Sequence, residues 1–305
     1  MISYFFSWKY LIVFLFTSST LYTHFRGKKR LKFIQQLVNH STFMAPINVF
    51  MYIFSKVPTT PFLNRSNFPE LDLFKDNWEI IREEARELLN KGEVKGTENS
   101  DDLGFNSFFK RGWKRFYLKW YRHDLTSAET LCPKTMALIR QVPSINAAMF
   151  TFLPAGGILN EHRDPYAGSL RYHLGIITPN DDACYIEVDG TRYSWRDGED
   201  ILFDETYIHS AANDTSIDRL IFFCDVARPM SNRIATAINR FFGYYIMSEA
   251  AAQNHSSEKV GIFNRLFRYY DGLYKSYRNI KKRDPRLYYA LKYTAILLIV
   301  YLLLR

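Results

Sequence analysis

Cysteine is scarce in this chain, and acidic residues are missing where the basic ones cluster. The three cysteines, Cys132, Cys184 and Cys224, are an odd number and form no C-x-x-C pair. That sets aside a disulfide framework and a cysteine-based zinc site. Cys184 and Cys224 sit in apolar runs, as buried thiols do, and fit a reducing compartment. No internal repeat and no low-complexity tract is present. With 47% hydrophobic and 17% aromatic residues, the composition excludes disorder and suits a β-rich core, a membrane surface, or both. The formal charge of +9 over 305 residues fits a nucleic acid or an anionic lipid surface. The position of the charges decides between them.

No acidic residue interrupts Arg26, Lys28, Lys29, Arg30 and Lys32, and only Asp284 opposes Lys275, Arg278, Lys281, Lys282, Arg283 and Arg286. Each cluster adjoins an apolar stretch. Ser3 to Tyr22 is broken only by Lys9, and Leu287 to Leu304 only by Lys292. These lengths are about what a helix needs to cross a bilayer. A transmembrane helix is therefore expected over 3–25 and another over 287–304. A signal peptide is the competing reading of the first, but its basic cluster follows the apolar run instead of preceding it. The positive-inside rule puts the body between the two ends in the cytoplasm. That arrangement favours anionic lipid phosphates over nucleic acid.

Phe43 to Phe54 is too short to span and contains Pro46, so it lies in the interface or packs on the body. Residues 69–90 carry apolar side chains at helical spacing with Gly92 beyond their end, predicting an amphipathic helix; residues 93–107 read as a loop. From Trp113 the pattern becomes short β-branched and aromatic runs: 113–121, 147–153, 169–177, 184–188, 191–195, 200–204 and 219–225. Asp189-Gly190 predicts a type I′ hairpin. Strands without alternating helices imply an antiparallel sandwich or barrel.

The chemistry gathers in this β-rich block. His162 and Asp164 form an H-x-D pair, and on an extended backbone such residues point the same way. His209, arriving later, completes a two-histidine, one-carboxylate set that suits iron(II) and leaves coordination positions open. An H-x-D alone also arises from a turn at Asp164-Pro165. What strengthens the metal reading is Arg219, entering the apolar strand Leu220-Ile221-Phe222-Phe223, where a bound dicarboxylate would meet it bidentately. Arg171 and His173 share one strand face and supply two further carboxylate-binding groups, while Leu170, Tyr172 and Leu174 take the other. Asp204 is a candidate support for His209. In the block 110–122, Lys110, Arg111, Lys114, Arg115 and Lys119 interleave with aromatics. Read as a strand, it presents Arg115, Tyr117 and Lys119 on one face, either for substrate phosphates or as a solvated edge.

Residues 156–229 resemble the aspartyl/asparaginyl β-hydroxylase branch of the 2-oxoglutarate oxygenases. Longer blocks, among them HFRGKKR, FPELDLFKDNW, FFKRGWKRFYLKWY, HRDPYAGSLRYHLG and WRDGEDILFDETYIH, resemble the lipid A 2-hydroxylase (LpxO-like) family within it. The resemblance implies a mainly β chain with flanking helices. A double-stranded β-helix domain, jelly-roll or cupin-like, would occupy 111–232, between a membrane-proximal region (26–110) and a basic helical region (233–286). It implies His162, Asp164 and His209 as iron ligands and Arg219 as partner of the distal 2-oxoglutarate carboxylate, with Arg171 and His173 nearby and oxygen as co-substrate. It further implies lipid A or its precursor as substrate in the bacterial inner membrane, with the catalytic domain facing the cytoplasm. A hydroxylase of aspartyl or asparaginyl residues in a peptide is the alternative enzyme. A membrane-anchored cupin-like binding protein is the alternative of another class, although it would have no use for the arginine.

Overall fold

Ten strands fall into two sheets, and from the third strand onward the chain passes back and forth between them, broken only by the hairpin of the sixth and seventh strands, in the manner of a double-stranded β-helix. The computed structural model describes residues 8–97, 102–288, 290, 291 and 294. The strands are β1 (Lys114–Trp120), β2 (His123–Asp124), β3 (Ile145–Leu153), β4 (Ile158–His162), β5 (Ser169–Ile177), β6 (Cys184–Val188), β7 (Thr191–Ser194), β8 (Asp200–Phe203), β9 (His209–Asn213) and β10 (Arg219–Ala227). The larger sheet runs β2-β1-β3-β10-β5-β8 and the smaller β4-β9-β6-β7. Every strand pairing within the two sheets is antiparallel. The β6–β7 hairpin turns through Asp189 (φ 50°) and Gly190 (φ 84°), the positive-φ pair that a type I′ turn demands.

The helices are α1 (Trp8–Phe25), α2 (Phe33–Leu37), α3 (His40–Phe43), α4 (Ala45–Ile53), α5 (Asp72–Asp76), α6 (Trp78–Asn90), α7 (Asn106–Phe109), α8 (Thr126–Leu131), α9 (Pro133–Gln141), α10 (Arg233–Tyr245) and α11 (Ile262–Arg283). The predicted helix over 69–90 is broken at Asn77 into α5 and α6. Gly92 (φ 67°) ends α6 with bonds from its own N–H to the Leu89 carbonyl and from Glu93 to Leu88, a Schellman stop. Ile81, Ala85 and Leu88 of α6 join Phe74 of α5 in the main core. Phe74 meets Tyr172 and Phe222 on the outer face of the larger sheet. With that face covered by helices, β5 and β10 are buried on both sides. Their polar residues can only point inward.

The N-terminal expectation finds no support in the described residues. Among the described residues no helix is long and apolar enough to cross a membrane. The first half of α1 exposes Tyr10 to Phe16 all round, but Ser19, Thr20, Thr23 and His24 are buried. Its last turns pack on α4. Residues 3–7 and most of 287–304 lie outside the described residues. In α4, Ala45, Asn48, Met51 and Tyr52 face inward, whereas Ile53 and nearby Phe43 face out.

Candidate metal centre

The two strands that carry the histidines meet side by side. β4 pairs with β9 through Ile158↔Ala212 and Leu159↔Ala211, then slips to His162↔His209. One extra residue on β4 makes a bulge, the usual device for re-aiming a side chain. The two imidazole rings lie 4.2 Å apart between centroids. His162 Nδ1 donates to the Asn160 carbonyl at 2.7 Å, and His209 Nδ1 to the Tyr207 carbonyl at 2.9 Å. Because a carbonyl can only accept, both Nδ1 atoms carry the proton and both Nε2 lone pairs are free. This is how metal-ligating histidines are held.

Asp164 supplies the third group. Its Oδ1 lies 3.9 Å from His162 Nε2, while its Oδ2 accepts from Arg171 Nη2 at 2.8 Å. One ligand atom from each of His162, Asp164 and His209 falls within 4.8 Å of the others, a spacing one ion can bridge. Burial alone would raise the Asp164 pKa. Arg171, then His209 and His162, outweigh it and bring it down to about 2. Burial, then the His162 ring, lowers His209 to about 3. Two neutral nitrogens and one carboxylate on a single face, with the opposite side open to a cavity, match a divalent transition metal with free coordination positions.

That cavity encloses about 470 Å³, part of it open to solvent. Around the triad it is walled by Phe105, Phe108 and Trp113, and at its inner end by Arg219, Trp195, His173 and Thr151. Phe108 packs edge-on to His162, with ring centroids 4.8 Å apart. Arg219 is 2% exposed and has no carboxylate within ion-pair distance among the described residues. Its guanidinium lies 4.4 Å from the Trp195 ring centroid, its Nη2 reaches Thr151 Oγ1 only at 3.5 Å, and its Nε has no partner. Burial lowers its pKa to about 10. Trp195 Nε1 and both His173 nitrogens also lack partners. Burial, ahead of the nearby arginines, drives the His173 pKa well down, so the ring is neutral. A buried cation among unmet donors is costly unless an anion joins it.

A model of aspartyl/asparaginyl β-hydroxylases matches residues 75–229, a little over half of the chain. The chain belongs to the aspartyl/asparaginyl β-hydroxylase family. It is 31% identical over 182 residues to an ornithine lipid ester-linked acyl 2-hydroxylase of Rhizobium tropici, covering 59% of this chain and 64% of that protein. It is 28% identical over 158 residues to the human aspartyl/asparaginyl beta-hydroxylase, covering 50% of this chain and 20% of the human one. A mouse aspartate beta-hydroxylase domain-containing protein 2 is 25% identical over 198 residues, 59% of this chain and 54% of its own length. The chain thus spans less than two thirds of each of these relatives.

Within this family member, three expectations change. Arg171 lines the cavity, but its Nη2 and Nε are engaged by carboxylates of the protein. Nη2 serves Asp164 and Glu205, and Nε meets Asp225 at 2.9 Å. Burial opposes its charge, but these three carboxylates raise its pKa above the ordinary value. Arg171 holds Asp164 Oδ2 in place, and its charge is met by carboxylates of the protein. Asp204 does not touch His209 either. It is wholly buried between Arg26 and Arg228, at 2.5 and 2.7 Å. Nor do Arg115, Tyr117 and Lys119 form a basic outer face, and the five candidate substrate contacts of the 110–122 block are dispersed. Lys110 and Arg111 are exposed after α7, and Lys114 is exposed at the start of β1. Arg115 is buried against Asp102 at 3.1 Å, Tyr117 is buried too, and Lys119 lines a separate cleft.

Sequence reading missed Glu205, Asp225, Trp195 and the Phe105–Phe108–Trp113 wall. Asp225 carried a signal, since a carboxylate ending the apolar run of β10 needs a buried cation. Trp195 carried none beyond its aromatic type.

Proposed function

We propose that this protein hydroxylates carbon 2 of an ester-linked acyl chain of a membrane lipid, using iron(II), oxygen and 2-oxoglutarate. We infer as its substrate lipid A or its precursor in the bacterial inner membrane, reached from the cytoplasmic side. The observation that carries the cofactor reading is Arg219, a buried guanidinium with no carboxylate within ion-pair distance among the described residues. It shares one cavity with a histidine–aspartate–histidine triad. A dicarboxylate with one end on the metal and the other on Arg219 answers both needs.

Iron(II) and 2-oxoglutarate, when bound, supply the oxygen chemistry that places a hydroxyl on carbon and leaves succinate and carbon dioxide. The chain's own residues do the placing. His162 and His209 present Nε2, their tautomers fixed by the Asn160 and Tyr207 carbonyls. Asp164 presents Oδ1 because Arg171 holds Oδ2. Arg219, Thr151 and Trp195 offer donors for the far carboxylate, and neutral His173 offers one more. Phe105, Phe108 and Trp113 exclude water and give an acyl chain an apolar wall beside the triad.

Two features favour a lipid. The rhizobial relative is by its name a 2-hydroxylase of an ester-linked acyl chain. The surface of this chain also exposes Phe33, Ile34 and Phe43 within a few turns of chain of exposed Lys28, Arg30 and Lys32, an apolar and basic combination suited to an anionic interface. Mass spectrometry of lipids from cells with the gene, without it, and with His162→Ala tests the substrate. One added oxygen on lipid A only with the intact gene is expected. The same gain on an ornithine lipid alone would move the substrate, and on a peptide alone would favour the protein hydroxylase. Purified protein should form succinate from 2-oxoglutarate only with iron(II); turnover indifferent to iron would sink the oxygenase reading.

A further inference from the structure

Arg163 stands between two of the ligands, His162 and Asp164. On an extended backbone its side chain must point away from the metal. It is buried, and its Nη1 donates to the Thr23 carbonyl at 2.9 Å. Thr23 lies in the last turn of α1, where carbonyls have no partner within the helix and the helix dipole is negative. No carboxylate lies within ion-pair distance of Arg163 among the described residues, so the end of α1 is its counter-charge. The backbone on either side is held from the same direction. His40 Nε2 donates to the Arg163 carbonyl at 2.7 Å. Asn48 Nδ2 donates to the Pro165 carbonyl at 2.9 Å, and Asn48 Oδ1 accepts from Ala167 at 2.9 Å.

The approach to His209 is gripped in the same way. Arg26 bonds Asp204 Oδ2 at 2.5 Å and Thr206 Oγ1 at 2.6 Å, its guanidinium 3.9 Å from the ring centroids of both Tyr52 and Tyr207. Tyr52 Oη adds a bond to Thr206 Oγ1 at 2.7 Å. Thr206 precedes Tyr207, whose carbonyl fixes the His209 ring. Lys29 pairs with Glu161, next to His162, and with Glu187. All these holders fall within residues 23–52. None lies in the 75–229 stretch that the family model matches.

We propose that residues 23–52 form a strap that is part of the metal centre, with Arg163, His40 and Arg26 as positioning residues that set the spacing of His162, Asp164 and His209. The bulge in β4 leaves the ligand pair without a continuous ladder to β9, and the strap supplies the restraint that the ladder does not. Partners of this kind ordinarily govern metal affinity by about 10–100-fold. The strap has this role only if the three residues are ligands, as proposed above, and the test separates the two questions.

Cobalt(II) is titrated into the full chain by calorimetry, without 2-oxoglutarate. Thermal unfolding of the metal-free protein is followed in parallel. Wild type should bind one ion and His162→Ala none. Arg163→Ala and His40→Leu should bind about 10–100-fold more weakly, with the metal-free midpoint unchanged. Arg163→Lys and His40→Gln, which keep a donor in place, should recover most of the loss. Wild-type affinity in folded Arg163→Ala or His40→Leu would overturn the strap. If Arg163→Ala does not fold, the His40 pair decides alone. Failure of wild type to bind cobalt would overturn the ligand assignment itself.

Discussion

Arg171 and Arg219 are both buried, both line one cavity, and each lies over an aromatic ring, Phe223 for the first and Trp195 for the second. They differ in company. Arg171 touches Asp164, Glu205 and Asp225, whereas Arg219 meets no carboxylate among the described residues. An arginine whose charge is answered inside the fold builds the site; one whose charge is unanswered waits for a ligand. Residue type and strand position made the two look alike, and only the surrounding charges tell them apart.

The largest effect is expected from removing Arg171. Arg171→Met would leave three buried carboxylates clustered without a cation. Burial, more than their mutual repulsion, already lifts Glu205 well above its ordinary value and raises Asp225 as well. Losing the partner of a buried ion pair costs about 3–5 kcal/mol. A fall of that size in urea unfolding free energy is expected, together with loss of metal binding. Wild-type stability would mean that Arg171 is not the hub of the cluster.

Arg219→Met should do the reverse. Removing a lone buried charge leaves the ligand-free protein as stable as before, or more so. The requirement for 2-oxoglutarate should rise about 10–100-fold, the worth of roughly 1.5–3 kcal/mol in charge-assisted hydrogen bonds. A large drop in stability with unchanged KM for 2-oxoglutarate would make Arg219 structural.

The neutral histidines give the comparison a pH dependence. Burial, then the His162 ring, lowers His209 to about 3 in the folded protein, against about 6.5 when unfolded. Between these values the unfolded chain binds the extra proton, so metal-free protein loses stability as pH falls from about 6.5 toward 3, by about 1.4 kcal/mol per unit. His173 acts in the same sense. Asp164, held at about 2, adds to the loss only below its ordinary value of 3.8. Unfolding free energies measured across this range should fall less steeply in His209→Asn. An equal slope would place the titration elsewhere.

Much of the larger sheet was legible because its strands are long and rich in β-branched and aromatic residues. The runs predicted over 147–153, 169–177 and 219–225 became β3, β5 and β10. The two strands that deliver His162 and His209 were not legible as strands. β4 reads Ile-Leu-Asn-Glu-His and β9 reads His-Ser-Ala-Ala-Asn, segments with little intrinsic β preference that pairing alone holds extended. The triad was still visible, because H-x-D spacing depends only on an extended backbone and not on which sheet carries it. The fate of Arg115 was hidden, since its partner Asp102 lies outside the strand. The N-terminal run reads as uniformly apolar, and hydropathy does not show that Ser19, Thr20 and Thr23 are buried.

The smallest effect isolates one donor at the inner end of the cavity. Trp195 is fully buried and its Nε1 hydrogen has no acceptor in the ligand-free protein. Phenylalanine keeps an aromatic ring beneath Arg219 and removes that hydrogen. An unmet buried donor costs about 1–3 kcal/mol, so Trp195→Phe should leave the ligand-free protein equal to or slightly above wild type in unfolding free energy. If the hydrogen is met by the far carboxylate of 2-oxoglutarate, KM for 2-oxoglutarate should rise several-fold, about 1 kcal/mol. Opposite signs for stability and affinity at one position are the mark of a group held ready for a ligand, as Arg219 is and Arg171 is not. A loss of stability with no change in KM would return Trp195 to the core and leave Arg219 to receive the anion without it.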